Sequence, residues 1–363
     1  MSFYDSEMKK LLRDLRNEII SEYDESEPIS VRVNLLPQSH NAMGEFEKGN
    51  DGKVMINKNG KKMINKHNEH ADPINVAIHE TTPNNKTGIM KDGVKSKGIK
   101  DPGKPEKNTR GAARYDKLLR YGFLEEEKRK RHGRTIGYHA RIDYPGLLGR
   151  PEIVILEPAV CSPDQVTNAK FAKSVYGIER LCGEEQNYHL AVANQAMLTA
   201  FVLKEMGYDN KMAMKHIFPH NFYANNKKAC PKACPARMLY ASTLVEKSKK
   251  TALTQEEIDS IKEYVPWEVF MGLVSTFLER DKYPQELQEK FVYDMSDYDA
   301  YNKDPKNYNY SERKKQKGPR KYNSVELLSE NDKLESPAKI HIMPKKEDVL
   351  SNIKVEDDKS EER

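Results

Sequence analysis

The chain has 363 residues, 37% of them apolar and 32% charged, with 61 Lys and Arg against 56 Asp and Glu. That length can hold two domains, but so low an apolar share means that part of the chain is expected to stay outside a packed core. A net charge of +5 favours polyanionic surfaces without demanding nucleic acid, and four cysteines in so long a chain exclude a secreted disulfide framework.

Residues 1 to 25, "MSFYDSEMKKLLRDLRNEIISEYDE", lack the apolar core of a signal peptide, and no later stretch approaches the ~18 apolar residues needed to span a membrane. A soluble, cytoplasmically made protein is expected. Phe3, Met8, Leu11, Leu12, Leu15, Ile19 and Tyr23 recur at helical spacing and predict an amphipathic first helix packed on its own domain. "ISVRVNLLP" and "INVAIHET" read as strands, the second apolar enough for a central position. From 84 to 108 the composition turns to Lys, Gly and Pro, which is loop chemistry. "GYHARIDY" and "VYGIERL" read as further strands. Residues 187 to 206 predict a long buried helix ending at Gly207, and "KMAMKHIF" predicts a strand after it. This order predicts an α/β fold, a mixed central sheet flanked by helices. Three regions follow: an N-terminal helix over 1–29, a core domain over 30–284, and a charged, Tyr- and Lys-rich tail over 285–363, too poor in apolar residues to order by itself.

The chemistry concentrates in a few side chains. His79 ends a predicted central strand, where an α/β sheet presents functional groups at its carboxyl edge. His216, within "KMAMKHIF", repeats the pattern of an apolar strand ending in histidine, and Cys234 lies 18 residues beyond it. Two imidazoles and a thiolate can hold zinc and leave a fourth position open. The segments "HIFPH" and "CPKAC" also spell a closed two-His, two-Cys site drawing on His220 and Cys230, although Pro219 prevents a helix from placing His216 and His220 on one face.

In that order, "VAIHET", "GYHARID", "YGIERL", "MAMKH" and "PKACPARML" resemble zinc-dependent N-acetylmuramoyl-L-alanine amidases of the type-2 class, which include phage endolysins and are related to peptidoglycan recognition proteins. The resemblance covers about 30 to 280 and makes 30–284 an amidase catalytic domain. It implies His79, His216 and Cys234 as zinc ligands, with Cys230 the alternative to Cys234 because it shares the Lys-Ala-Cys-Pro context. It offers two proton-handling groups, Glu179 in "YGIERL" and Tyr138 in "GYH"; the carboxylate is the better base at neutral pH. Lys232 would help hold the oxyanion. The implied substrate is bacterial peptidoglycan, cut between muramic acid and L-alanine by a phage lysin acting from the host cytoplasm or carried in the virion. The basic tail could add attraction for anionic wall polymers. The alternative is a zinc-bearing peptidoglycan-binding protein that does not cut; a nucleic-acid-binding protein is disfavoured, since the Lys-rich segments lack aromatic platforms. The basic 86–107 loop and the 12 residues "HNFYANNKKACP" before Cys234 depart from the family pattern. His139 and His189 are read as structural.

Overall fold

In the computed structural model, which describes residues 3–35, 73–80, 139–143, 150–160, 175–181, 187–224 and 234–317 with single residues 53, 56 and 60, six strands form one sheet. They are β1 (Ser30–Val33), β2 (Asn75–Glu80), β3 (Ala140–Asp143), β4 (Glu152–Ile155), β5 (Val175–Arg180) and β6 (Ile217–Pro219), in the order β1-β4-β3-β5-β2-β6. All neighbours run parallel except β3 and β4, so the sheet is mixed, as the sequence predicts. β4 is the strand the sequence reading missed. Its four residues, Glu-Ile-Val-Ile, sit close to prolines at 151 and 158 and carry no alternation long enough to register.

Side chains alternate across a strand, so the register sorts them into two faces. One face carries Val31, Val76, Ile78, Ala140, Ile142, Ile153, Ile155, Tyr176 and Ile178, all in the main core. The other carries His79, Glu179, Arg141, Asp143 and Glu152, which are also buried. The charge on that second face is compensated in pairs: the Arg141 guanidinium grips Asp143 at 2.6–3.1 Å, and Arg32 reaches Glu152 at 2.9 and 3.2 Å. Burial pushes the Asp143 carboxyl up to about 6 against the lowering pull of Arg141.

Helix α1 (Phe3–Glu25) lies against α2 (Tyr188–Glu205), α5 (Ala236–Ser248) and α7 (Trp267–Leu278), while α2 packs along α7. Every residue of α2 from Leu190 to Leu203 is buried, which is why its apolar character runs all round the helix. Asn187 caps its start by accepting from the Leu190 N–H, and Gly207 just past its end takes φ +85°, a conformation that suits glycine. "KMAMKHIF" is not one strand. Asp209 accepts from Met212 N–H and caps a short helix, α3 (Asn210–Ala213), and β6 begins only at Ile217. Helix α4 (His220–Ala224) follows β6 directly, and α6 (Gln255–Tyr264) starts with a Thr254/Glu257 capping box. Among the described residues no helix is long and apolar enough to cross a membrane.

The expected loose tail from 285 needs correction over 285–317. Three helices form there, α8 (Gln285–Lys290), α9 (Met295–Lys303) and α10 (Tyr310–Lys317); they and the α8–α9 connection send Leu287, Phe291, Val292, Tyr293, Tyr298 and Tyr310 into the main core. The segment also completes the sheet edge. Among the described residues strand β1 has a strand neighbour on one side only, and Glu286 accepts the Val31 N–H at 2.7 Å while Lys290 donates to the Val31 carbonyl at 2.9 Å. Side chains one helical turn apart thus stand in for a missing strand. Of the basic run, Arg313 pairs with Asp297, Lys314 with Glu205, and Lys317 with Asp294 and Asp297. The rest of the tail, 318–363, lies outside the described residues.

Candidate metal centre

Parallel strands deliver their carboxyl ends to one edge, and the register there decides which side chains meet. β2 and β5 run in step with His79 opposite Glu179, and β3 adds Arg141 opposite Glu179. On the other side of β2, Ile78 stands opposite Pro219, so the next residue, His220, arrives beside His79. Their ring centroids lie 4.3 Å apart. Cys234 comes from the turn before α5, where its carbonyl accepts the Asn221 N–H at 2.9 Å and its Sγ lies 3.8 Å from the Glu80 carbonyl oxygen. The donor atoms of His79, His220 and Cys234 all lie within 4.8 Å of one another.

The set fits zinc by its chemistry. Two imidazoles and one thiolate are borderline-soft donors, and three protein ligands leave a fourth position open to a small molecule. Both histidines are buried, 1% and 7% exposed, and would face mutual repulsion if both were protonated. A metal ion held by the lone pairs of the two neutral rings would take the place of those protons. Glu179 stands alongside, 2% exposed, with Oε2 4.0 Å from His79 Nδ1.

The structure therefore brings together His79, Cys234 and Glu179 of the expected residues and adds His220 in place of His216. The reason is positional. His216 precedes β6, and its carbonyl accepts the Val76 N–H at the amino end of the sheet. A strand rises ~3.3 Å per residue, so four residues separate the two histidines by roughly the length of the strand. Both histidines sit in one short segment, "HIFPH", and the structure begins the strand after the first of them rather than ending it there. Tyr138, Cys230 and Lys232 lie outside the described residues.

His216 has structural work at its own end. Its Nδ1 meets Asn75 Oδ1 at 2.9 Å, and its ring stacks on Tyr208 with centroids 4.3 Å apart. Burial lowers its pKa below the usual imidazole value, so the folded state resists a proton that the unfolded chain accepts. Its contribution is fully present above ~6.5 and is lost as pH falls from there through the depressed folded value. In metal-free protein, urea midpoints compared at about pH 7.5 and about pH 5.5 should fall on acidification, and His216→Gln should flatten the change; an unaltered slope would contradict this role.

His139 and His189 hold structural positions too. His139 Nδ1 accepts the Gly177 N–H at 3.0 Å and its ring stacks on Tyr176; His189 Nε2 meets the Lys262 carbonyl at 2.9 Å, joining α2 to α6.

No protein-family model matches the chain, and no curated protein matches it in sequence. Among solved structures it is similar to the catalytic domain of PlyG, at 11% identity over 70% of this chain and 99% of that one, with a TM-score of 0.36. It is similar also to the Staphylococcus aureus hydrolase AmiA in complex with its ligand, at 12% identity over 71% and 93% of the two chains and a TM-score of 0.34. A third is the catalytic domain of XlyA, at 14% identity over 64% and 99%, with a TM-score of 0.31.

Proposed function

We propose that the chain is a zinc-dependent peptidoglycan hydrolase that cleaves the amide between N-acetylmuramic acid and L-alanine, and that it serves as a phage lysin. The observation that carries the reading is the convergence of His79, His220 and Cys234 beside Glu179 at the carboxyl edge of the sheet. Three of those four residues lie in the segments that resemble type-2 amidases. The lysin reading rests on "PKACP", which resembles the ligand segment of short phage amidases; host cytoplasm before lysis or the virion would be its setting.

Each residue then has a task. His79 and His220, neutral and oriented by their strand ends, and Cys234, as thiolate, present lone pairs to one point. A zinc ion bound there would polarise the scissile carbonyl and lower the pKa of water. Glu179 takes the proton from the attacking water as it adds to the lactyl carbonyl. It then returns that proton to the amide nitrogen as the carbon–nitrogen bond breaks, so the amine leaves neutral and the carboxylate is restored. Lys232 and Tyr138 are proposed to donate to the developing oxyanion.

Glu179→Gln keeps the shape and hydrogen-bonding capacity of the side chain but cannot accept a proton. Zinc content should stay at the wild-type level while release of L-alanine amino termini from purified walls drops ~10²–10⁴-fold, the range for a general acid–base group. Near-full activity in that variant, with Tyr138→Phe inactive, would transfer the role to the tyrosine. If wild-type protein releases no such termini but still holds zinc and binds walls, a non-cutting binding protein is the better account.

A further inference from the structure

The face of the sheet opposite the metal centre carries a buried polar cluster that the hydrolytic chemistry does not use. Helix α2 is apolar around nearly its whole girth, yet Gln195 sits at its middle with no exposed surface. A buried amide is costly unless its hydrogen bonds are made. Here Nε2 donates to the His79 carbonyl at 3.0 Å and to the Ile178 carbonyl at 3.0 Å, while Oε1 accepts from Arg180 Nη1 at 2.7 Å. A guanidinium only donates, so Arg180 dictates which way the amide points and turns both amide hydrogens towards the strands. Arg180 Nη2 in turn donates to Glu80 Oε2 at 2.8 Å and to the Tyr188 hydroxyl at 2.8 Å.

Those two carbonyls belong to His79 itself and to the residue just before Glu179. Glu80, the next link, follows His79, and its carbonyl oxygen lies beside Cys234 Sγ. We propose that Gln195, oriented by Arg180, is a positioning residue for the metal centre: from behind the sheet it fixes the carboxyl ends of β2 and β5 so that His79 and Glu179 face the site at a set spacing. Stability alone does not call for this arrangement, since a buried ion pair such as Glu80–Arg180 is often no better than apolar packing. A ligand site does call for it, because its side chains must be held within ~0.5 Å of their working geometry. The inference rests on the metal-centre reading but not on the identity of the substrate.

The test uses full-length protein and metal binding. Zinc affinity is measured by chelator competition and site geometry by the visible spectrum of the cobalt(II) form. Gln195→Met, similar in length but without donors, and Gln195→Glu, similar in shape but without N–H groups, should each bind zinc ~10-fold or more weakly, as losses of supporting hydrogen bonds do, with a shifted cobalt spectrum. Arg180→Lys, which frees the amide to turn, should move both readouts the same way. Thr199→Val supplies the comparison: its hydroxyl donates to the Gln195 carbonyl at 2.7 Å within the same helix, so it should lower the urea midpoint and leave both metal readouts unchanged. Wild-type affinity and spectrum in either folded Gln195 variant overturn the proposal, as does failure of both to fold, which would make the role one of stability. A wild-type protein that binds zinc but releases no L-alanine termini would sink the amidase reading and leave this one standing.

Discussion

A chain ending at residue 284 should lose its cooperative fold, whereas one ending at 317 should unfold at nearly the full-length urea midpoint. The contrast follows from what the segment between them covers. Phe291 is fully buried, with its ring centroid 5.2 Å from that of Phe201 on α2 and 6.3 Å from that of Tyr176 on β5. Deleting the segment spares the entropy of ordering it but leaves those rings against water. It also strips partners from the Val31 N–H and carbonyl and from the Ala159 and Val160 N–H groups, which donate to the carbonyls of Val292 and Tyr293. The single substitution Phe291→Ala isolates the packing term. It should cost ~3–5 kcal/mol, the range for emptying a buried Phe site. That is a large share of the ~5–15 kcal/mol a domain ordinarily has. A 284-residue chain with a full-length midpoint would show that these helices only lean on the core.

Why this segment eluded the sequence is instructive. Its apolar content is low by hydropathy, and "YDMSDYDAYNKDPKNYNY" scores as solvated chain. The tyrosines, however, bury ring bodies while their hydroxyls find acceptors: Tyr301 donates to the Val33 carbonyl, Tyr308 to the Phe291 carbonyl and Tyr310 to Glu205. An amphipathic ring counted as polar conceals a core contribution. Strands β2 and β5, by contrast, were legible because a continuous apolar run ending in charge marks a buried parallel strand, and α2 was legible from its length, its Asn187 cap and Gly207. The site was legible in its chemistry rather than in its last member. His79, Glu179 and Cys234 each follow a readable landmark, whereas the choice between His216 and His220 turned on where a three-residue strand begins, the level at which sequence patterns are weakest. The Gln195 cluster carried no periodic signal, since one amide in an apolar helix looks like an ordinary interruption.

Replacing His220 with Ala should weaken zinc binding steeply, and replacing His216 with Gln should not. Both residues belong to "HIFPH", so composition and local mutability cannot distinguish them, but the parallel register does: His220 continues β6 past the level of Ile78 to reach His79, while His216 is level with Asn75 at the opposite end. Removing one of three donors should weaken zinc by on the order of 10²–10³-fold, a share of the ~10–16 kcal/mol that a full set of thiolate and imidazole ligands provides. His220→Ala and Cys234→Ser should therefore emerge from dialysis with little metal by atomic absorption and release no L-alanine termini. Cys230→Ser and His216→Gln should keep zinc and most activity, with His216→Gln showing only its altered acid stability. Loss of zinc from His216→Gln with retention in His220→Ala would move the site to the amino end of β6 and undo the register argument. Loss in all four would require a closed site in which every donor is a protein side chain. Such a site has no open position for water, so the hydrolytic proposal would fall with it.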